Sequence, residues 1–227
     1  MDDFLRLNKL KFGSLCVAAL LSAASASADN FDLYADYNYD LSDFVAWMEG
    51  AIREKEIPGV ALAIVSREGI MHMQTWGVRS IDTREAVHTD SVFRIASMSK
   101  TFAGASAALL VDQNYQSWDT KLTDLFPRMN LGTRSSSGGI TLKHVVSHST
   151  GLMPHSYSNL LDDGVSYDRI KPSFSKIPTV CKPGECYGYQ NVVFSLIADV
   201  VEHSTGESYE KFIYDQIFKP LGMITAS

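Results

Sequence analysis

Ser97 and Lys100 stand three positions apart in the stretch RIASMSKTFAG, directly ahead of a run of small and apolar residues. Residues three apart are neighbours on one helix face. A serine at a helix N-terminus meets backbone N–H groups with no intrahelical partner, and the helix dipole there favours developing negative charge. A lysine one turn on can lie beside the hydroxyl and accept its proton, or stabilise the group that does. The pair therefore reads as a nucleophile with an activating partner. The spacing alone does not single it out, since Ser173–Lys176 and Ser208–Lys211 repeat it. Context separates the three. Ser97–Lys100 opens a long apolar helix that would draw Lys100 inward. Ser173–Lys176 lies in KPSFSKIPTV, between two prolines, and reads as loop. Ser208 reads as the cap of a surface helix on which Lys211 is solvated.

Serine chemistry of this kind needs a proton acceptor and a group to hold the substrate. CYGYQNVVF supplies Tyr189 and Asn191, two apart at a loop-to-helix junction. A phenol is a poor base at its ordinary pKa of about 10, but an adjacent ammonium favours its anion. Asn191 can donate to a substrate carbonyl or hold the lysine. Tyr157 and Asn159 have the same spacing in a polar, irregular stretch and are the weaker pair. A Ser-His-Asp hydrolase would need a Gly-x-Ser-x-Gly elbow. The nearest stretch, GASAA at 104–108, lies inside a helix, where small residues serve close packing. His144, His148 and His155 sit near helix ends, where a histidine more often satisfies a hydrogen bond than performs catalysis.

These groups need elements to carry them. Leu41, Phe44, Val45, Met48 and Ile52 recur at helical spacing after Asp40 or Ser42, and the helix stops before IPG. VALAIVS (60–66) and IMHMQTW (70–76) predict an antiparallel hairpin across REG, its first strand buried on both faces. An alanine-dense helix follows Ser97. TKLTDLFP and TLKHVVSHSTGL predict short helices closed by Pro127 and Gly151. NVVFSLIADVVEHSTG (191–206) and SYEKFIYDQIFKPLG (208–222) predict amphipathic helices ended by Gly206 and Pro220. About six helices and one hairpin make a poor sheet, because a lone hairpin is marginal in water. The expectation is an α+β chain with further strands belonging after Ser227.

The 227 residues are 45% hydrophobic and 20% charged, an ordinary globular composition. A formal net charge of −6 and the lack of any Lys/Arg run argue against a nucleic-acid partner. Arg6, Lys9 and Lys11, the short apolar FGSLCVAALLSA and ASA at 26–28 read as a secretory signal over residues 1–28. Residues 29–40 are an acidic lead-in, and 41–227 are the folded part. The expected location is secreted or periplasmic, with no stable membrane span once the signal is removed. Signal removal takes Cys16 and leaves Cys181 and Cys186 around a Pro-Gly turn. In an exported protein this pair reads as a disulfide; two free thiols or half of a metal site are the alternatives. No HExxH and no second cysteine pair accompanies it, so no metal and no organic cofactor is implied.

IPGVALAIV, FRIASMSKTFAG, HVVSHSTGL, KPGECYGYQN and STGESYEKFIYDQIFKPLGM together resemble the class C β-lactamase-like serine hydrolases, which include D-alanyl-D-alanine carboxypeptidases and related esterases. The resemblance covers roughly residues 41–227. It implies a penicillin-recognising α+β fold, a helical region against an antiparallel sheet. It also implies Ser97 as acylated nucleophile, Lys100 as its activating partner, and Tyr189 as general base with Asn191 beside it. Expected substrates are small molecules or peptides: β-lactams, D-amino-acid peptides or esters. The family's third motif, Lys-Thr-Gly or His-x-Gly on a later strand, does not follow Asn191; STG at 204–206 reads as a helix end. That strand would supply the second oxyanion N–H beside that of Ser97, so the expectation is a partial domain with half an oxyanion hole. A non-catalytic or penicillin-binding module on the same fold is the rival reading.

Overall fold

The structure, a computed structural model, describes residues 40–132 and 139–227. The expected signal, Cys16 and the lead-in up to residue 39 lie outside the described residues. The described residues divide into two compact units, one ending at Phe93 and the other beginning at Arg94.

In the first unit, α1 spans Ser42–Glu54. Asp40 Oδ1 accepts from the Ser42 N–H at 2.9 Å, which satisfies one of the donors orphaned at a helix start. Strands β1 (Gly59–Val65) and β2 (Ile70–Gly77) form the expected antiparallel hairpin, with Ala63 opposite Met73 and an irregularity at Ile64/Val65. Gly77 ends it at φ +76°, where a Cβ would meet the Pro58 carbonyl oxygen at 2.1 Å, so only glycine fits. Trp76 Nε1 donates to Glu49 Oε1 at 3.2 Å and ties α1 to β2. One expectation fails here. β1 is not buried on both faces: its residues alternate between half-buried and exposed, and Val65 is 65% exposed. An unbroken apolar run predicts burial on both faces. Among the described residues β1 pairs with β2 alone, so no second neighbour covers it.

The second unit carries the core. A single 3-10 turn, Ala96–Met98, leads into α2, Ser99–Asp112. Short helices α3 (Leu122–Leu125) and α4 (Leu142–Val146) follow, then α5 (Ser158–Asp162) and α6 (Tyr167–Ile170). A 3-10 turn at Val193–Ser195 opens α7 (Leu196–Thr205), and α8 (Tyr209–Ile213) runs on into a π-type turn, Tyr214–Phe218. The small residues of GASAA do what their size allows. Ser106 and Ala107 are fully buried, and α2 packs against α7 in a core that includes Leu110, Val145, Leu196, Ile197, Val200 and Phe212. STG closes α7 as expected: the Ser204 and Thr205 hydroxyls donate to the carbonyls of Val200 and Val201, and Gly206 takes the left-handed cap at φ +73°. Ser208 caps α8 by accepting from the Lys211 N–H at 3.2 Å. Lys211 itself is exposed and bridges Glu207 and Asp215.

A second expectation needs correction. Ser173–Lys176 lies not in loop but in a 3-10 helix, Lys171–Lys176, with Pro172 in its first turn. A proline there removes an N–H that has no intrahelical partner anyway, and the buried Phe174 anchors the turn to the core. This stretch is fastened to α7 by Asp199, which accepts from Lys171 Nζ and, at 2.5 Å, from Tyr167 Oη.

Candidate active site

Ser97 sits in the 3-10 turn at the head of α2, and Lys100 lies one turn on, half-buried. Lys100 Nζ donates to Ser97 Oγ at 3.3 Å and to Asn191 Oδ1 at 2.7 Å. Ser97 Oγ is 2.6 Å from Tyr189 Oη. The four residues singled out from spacing thus form one hydrogen-bonded cluster inside the second unit. The other two Ser-x-x-Lys pairs have no part in it.

The electrostatics follow from the contacts. Hydrogen bonding from Lys100, then from Ser97, holds the Tyr189 phenol below its ordinary value of 10, against the opposing effect of burial. Lys100 Nζ also lies 4.8 Å from the centre of the Tyr189 ring and 5.7 Å from that of Phe194. An aromatic wall beside the cation adds to its attraction without competing for its protons. Chemically, the cluster holds a hydroxyl next to a phenol whose anion is favoured. That is what a serine nucleophile requires.

Tyr189 is placed by backbone rather than by a helix. The Cys181–Cys186 pair is bonded, with a Cα–Cα distance of 6.3 Å, and closes the Pro-Gly turn just ahead of it. The segment around residues 148–155 is stitched to the 178–189 segment. Val180 N–H donates to the Gly151 carbonyl, Gly184 N–H to that of Ser149, Gly188 N–H to that of His148, and His155 N–H to that of Tyr189. Gly151 permits this approach: at φ +79°, its Cβ would stand 2.3 Å from the Cys181 carbonyl oxygen.

Several neighbours join the cluster that sequence reasoning did not assign to the site, His148 among them, which was expected only to satisfy a hydrogen bond. Asn191 Nδ2 donates to Ser158 Oγ at 3.4 Å, so the irregular stretch that held the weaker Tyr157–Asn159 pair supports the stronger one. His148 packs between Tyr189 and Phe194, its ring 4.6 Å from the Tyr189 ring and 4.8 Å from that of Phe194. His148 Nδ1 accepts from the Gln190 N–H at 3.2 Å. Burial first, then the charge of Lys100, lowers the His148 pKa from 6.5. His144 does what a histidine near a helix end was expected to do, its Nδ1 accepting from the Thr141 N–H. A signal for the site exists in the backbone. Ala96, His148, His155 and Tyr157 all have positive φ without being glycine. Each adjoins the cluster: Ala96 precedes Ser97, His148 and His155 contact Tyr189, and Tyr157 precedes Ser158. Such conformations cost roughly 1–2 kcal/mol each and gather at functional sites.

A cavity of about 300 Å³ opens beside Lys100 and Asn191, lined by Ala103, Phe194, Ala198 and Tyr209. A recess of about 340 Å³ at Arg128, Asp168 and Lys171 holds none of the clustered groups. The hydrogen-bonded cluster, not the size of a recess, marks the candidate site.

The family described as Beta-lactamase matches residues 43–227. Penicillin-binding protein 4 of Amycolatopsis lactamdurans is 29% identical over 187 residues, 80% of this chain and 48% of that protein. The unguisins hydrolase ungD of Aspergillus violaceofuscus is 24% identical over 190 residues, 80% of this chain and 33% of that protein. The solved structure of the octameric penicillin-binding protein homologue from Pyrococcus abyssi superposes with a TM-score of 0.73 at 23% identity, covering 82% of this chain and 44% of that one. That likeness establishes the fold as β-lactamase and penicillin-binding-protein-like, as the sequence implied. This chain spans about half the length of these relatives, or less.

Proposed function

Because the chain belongs to the beta-lactamase family, we propose that it is a serine hydrolase that works through an acyl-enzyme on Ser97. Hydrolase-like function in general is supported by the family match and by its relatives. The assignment to particular residues rests on one observation: the 2.6 Å approach of Ser97 Oγ to a phenol whose anion is favoured by Lys100.

In this reading the Tyr189 phenolate takes the Ser97 proton as Oγ attacks the substrate carbonyl, forming the O–C bond. The negative charge passes to the carbonyl oxygen, for which the resemblance implies the Ser97 N–H as a hydrogen-bond donor. The tetrahedral intermediate collapses with cleavage of the amide or ester bond, and Tyr189 returns its proton to the leaving group. Water, deprotonated by Tyr189, then attacks the acyl carbon, the Oγ–C bond breaks, and Tyr189 returns the proton to Ser97 Oγ. Lys100 keeps the phenolate favoured throughout, and Asn191 holds Lys100 in register. β-Lactams, D-amino-acid peptides and small esters all present a carbonyl of the required kind.

A stable acyl-enzyme without turnover is the second reading. It is favoured by the 29% identity to a penicillin-binding protein. Export to an oxidising compartment is the reading consistent with the basic and apolar N-terminal residues and with the bonded cysteine pair.

The test is intact mass after incubation with a penicillin and with a fluorophosphonate, alongside Ser97→Ala. The expected result is a mass increase that the Ala variant lacks. A short-lived penicillin adduct marks a hydrolase, and a persistent one marks a penicillin binder. No adduct on a folded chain with either reagent overturns the serine reading.

A further inference from the structure

We propose that His148 is a positioning residue for Tyr189, and that it can serve only as a neutral imidazole with Nδ1 unprotonated. The proposal rests on the reading of Ser97 and Tyr189 as nucleophile and base.

The geometry brackets Tyr189. The residue before it, Gly188, donates its N–H to the His148 carbonyl at 2.7 Å. The residue after it, Gln190, donates its N–H to His148 Nδ1 at 3.2 Å. Between these two bonds the His148 ring lies against the Tyr189 ring, and it also packs on Phe194 and, edge-on at 5.9 Å, on Tyr187. One residue therefore fixes both peptide groups flanking Tyr189 and one face of its ring. Tyr189 has no helix to hold it, so this bracket sets where its oxygen stands relative to Ser97.

The bracket constrains the protonation state. A backbone N–H can only donate, so Nδ1 must present its lone pair and the ring proton must reside on Nε2. Adding a second proton turns Nδ1 into a donor facing a donor, and the Gln190 bond is lost. It also adds a second cation to an aromatic cluster that already holds Lys100. The titratable groups around His148 are Tyr187 and Tyr189 on the facing segment, Lys100 from α2, and His155 against Tyr189. Lys143 and His144 lie on α4, just ahead of it.

The backbone supports the same conclusion. His148 has φ +54°, a conformation that glycine adopts freely. Glycine there would keep the carbonyl contact to Gly188 but lose the ring acceptor and the packing. Histidine tolerates this region better than most side chains. The strain is thus offset by what the ring does.

Two variants separate positioning from plain packing. His148→Phe keeps an aromatic ring but has no acceptor. His148→Asn keeps an acceptor oxygen and tolerates positive φ, but takes up no proton. The measurement is the rate of Ser97 labelling by a fluorophosphonate from about pH 5 to about pH 9, with urea unfolding as a check on the fold. In the wild type, the slope of log rate against pH should steepen from one to two once His148 protonates. His148→Asn should show no such steepening toward acid pH. His148→Phe should be slower at every pH, by on the order of tenfold to a hundredfold. In parallel, the Gln190 amide resonance of ¹⁵N-labelled wild type should shift together with the His148 ring nitrogens. A His148→Phe variant with wild-type rates overturns the proposal, as does a Gln190 amide indifferent to His148 protonation. If His148→Phe does not fold, the Asn profile and the amide titration decide. If the wild type is never labelled at Ser97, the serine reading fails, and the amide titration by itself tells whether His148 holds the Tyr189 segment.

Discussion

Ser97 Oγ and Tyr189 Oη lie 2.6 Å apart although 92 positions separate them in the chain. Lys100 links the two ends, donating to Ser97 from one side and holding Asn191 from the other. A helix head and a disulfide-closed turn meet at one oxygen pair.

Selectivity among the three Ser-x-x-Lys pairs follows. Ser97→Ala should abolish covalent labelling by a fluorophosphonate. Ser173→Ala and Ser208→Ala should leave it unchanged, since neither serine touches the cluster. Intact mass of the labelled proteins reads this directly, and an adduct surviving in Ser97→Ala would refute the assignment.

The pH dependence of labelling should follow Tyr189. Its phenol is held below 10 chiefly by hydrogen bonding from Lys100. The reactive anion is populated above that lowered midpoint, so the rate rises with pH and levels off before 10. Lys100→Met removes the main cause, so the midpoint should move up toward 10. Tyr189→Phe should lower the rate on the order of a hundredfold to ten-thousandfold while leaving the ring packing against His148 intact. A rate profile unaltered in Lys100→Met would contradict this account.

Asn191 and Ser158 should differ in weight. Asn191→Ala leaves Lys100 without its 2.7 Å acceptor, and a hydrogen bond to a charged group is worth about 1.5–3 kcal/mol. Labelling should fall by roughly tenfold to a hundredfold. Ser158→Ala removes only a 3.4 Å contact to Asn191, and should cost a few-fold at most. Equal losses in the two variants would mean that Asn191 acts through Ser158 and not through Lys100.

Stability should decline on both sides of neutrality, for separate reasons. The folded-state pKa values of His144 and His148 lie below 6.5, mainly through burial. The unfolded chain therefore binds more protons below about 6.5, and stability is lost as pH falls from there. Tyr167 behaves oppositely: burial and the Asp199 carboxylate raise its pKa above 10. Its contribution is full below 10 and is lost as pH rises past that point. Urea midpoints at a series of pH values should show both edges, and Tyr167→Phe should remove part of the alkaline one.

The disulfide should matter more for geometry than for stability. Closing so short a loop is worth about 2 kcal/mol by chain entropy. Cys181→Ser/Cys186→Ser should therefore remain folded. Labelling of Ser97 should still slow measurably, because the turn delivers Tyr189. Wild-type labelling rates in the double variant would show that the backbone bonds from Ser149, Gly151 and His148 suffice.

The candidate site residues were legible in the sequence because their signals are local. Ser97 and Lys100 are one helical turn apart, and a helix head needs only its own residues. Cys181 and Cys186 flank a turn that brings them together. Gly206 and Ser208 mark ends that any chain would read alike. Tyr189 and Asn191 could be nominated by spacing, but only the fold brought them to Ser97, since that meeting depends on how the 181–191 segment runs against 148–155. The missed neighbours share this cause. Ser158 sits in a stretch with no periodicity, and Phe194 is one apolar residue among many in an amphipathic run. His148 carries its information in a positive φ and a ring acceptor that no residue pattern encodes. The burial of β1 was misread for the same reason in reverse: an apolar run records what a strand can tolerate, whereas exposure depends on which neighbours lie beside it. Residue type and short spacing fixed the candidate chemistry, and long-range packing alone decided which groups touch.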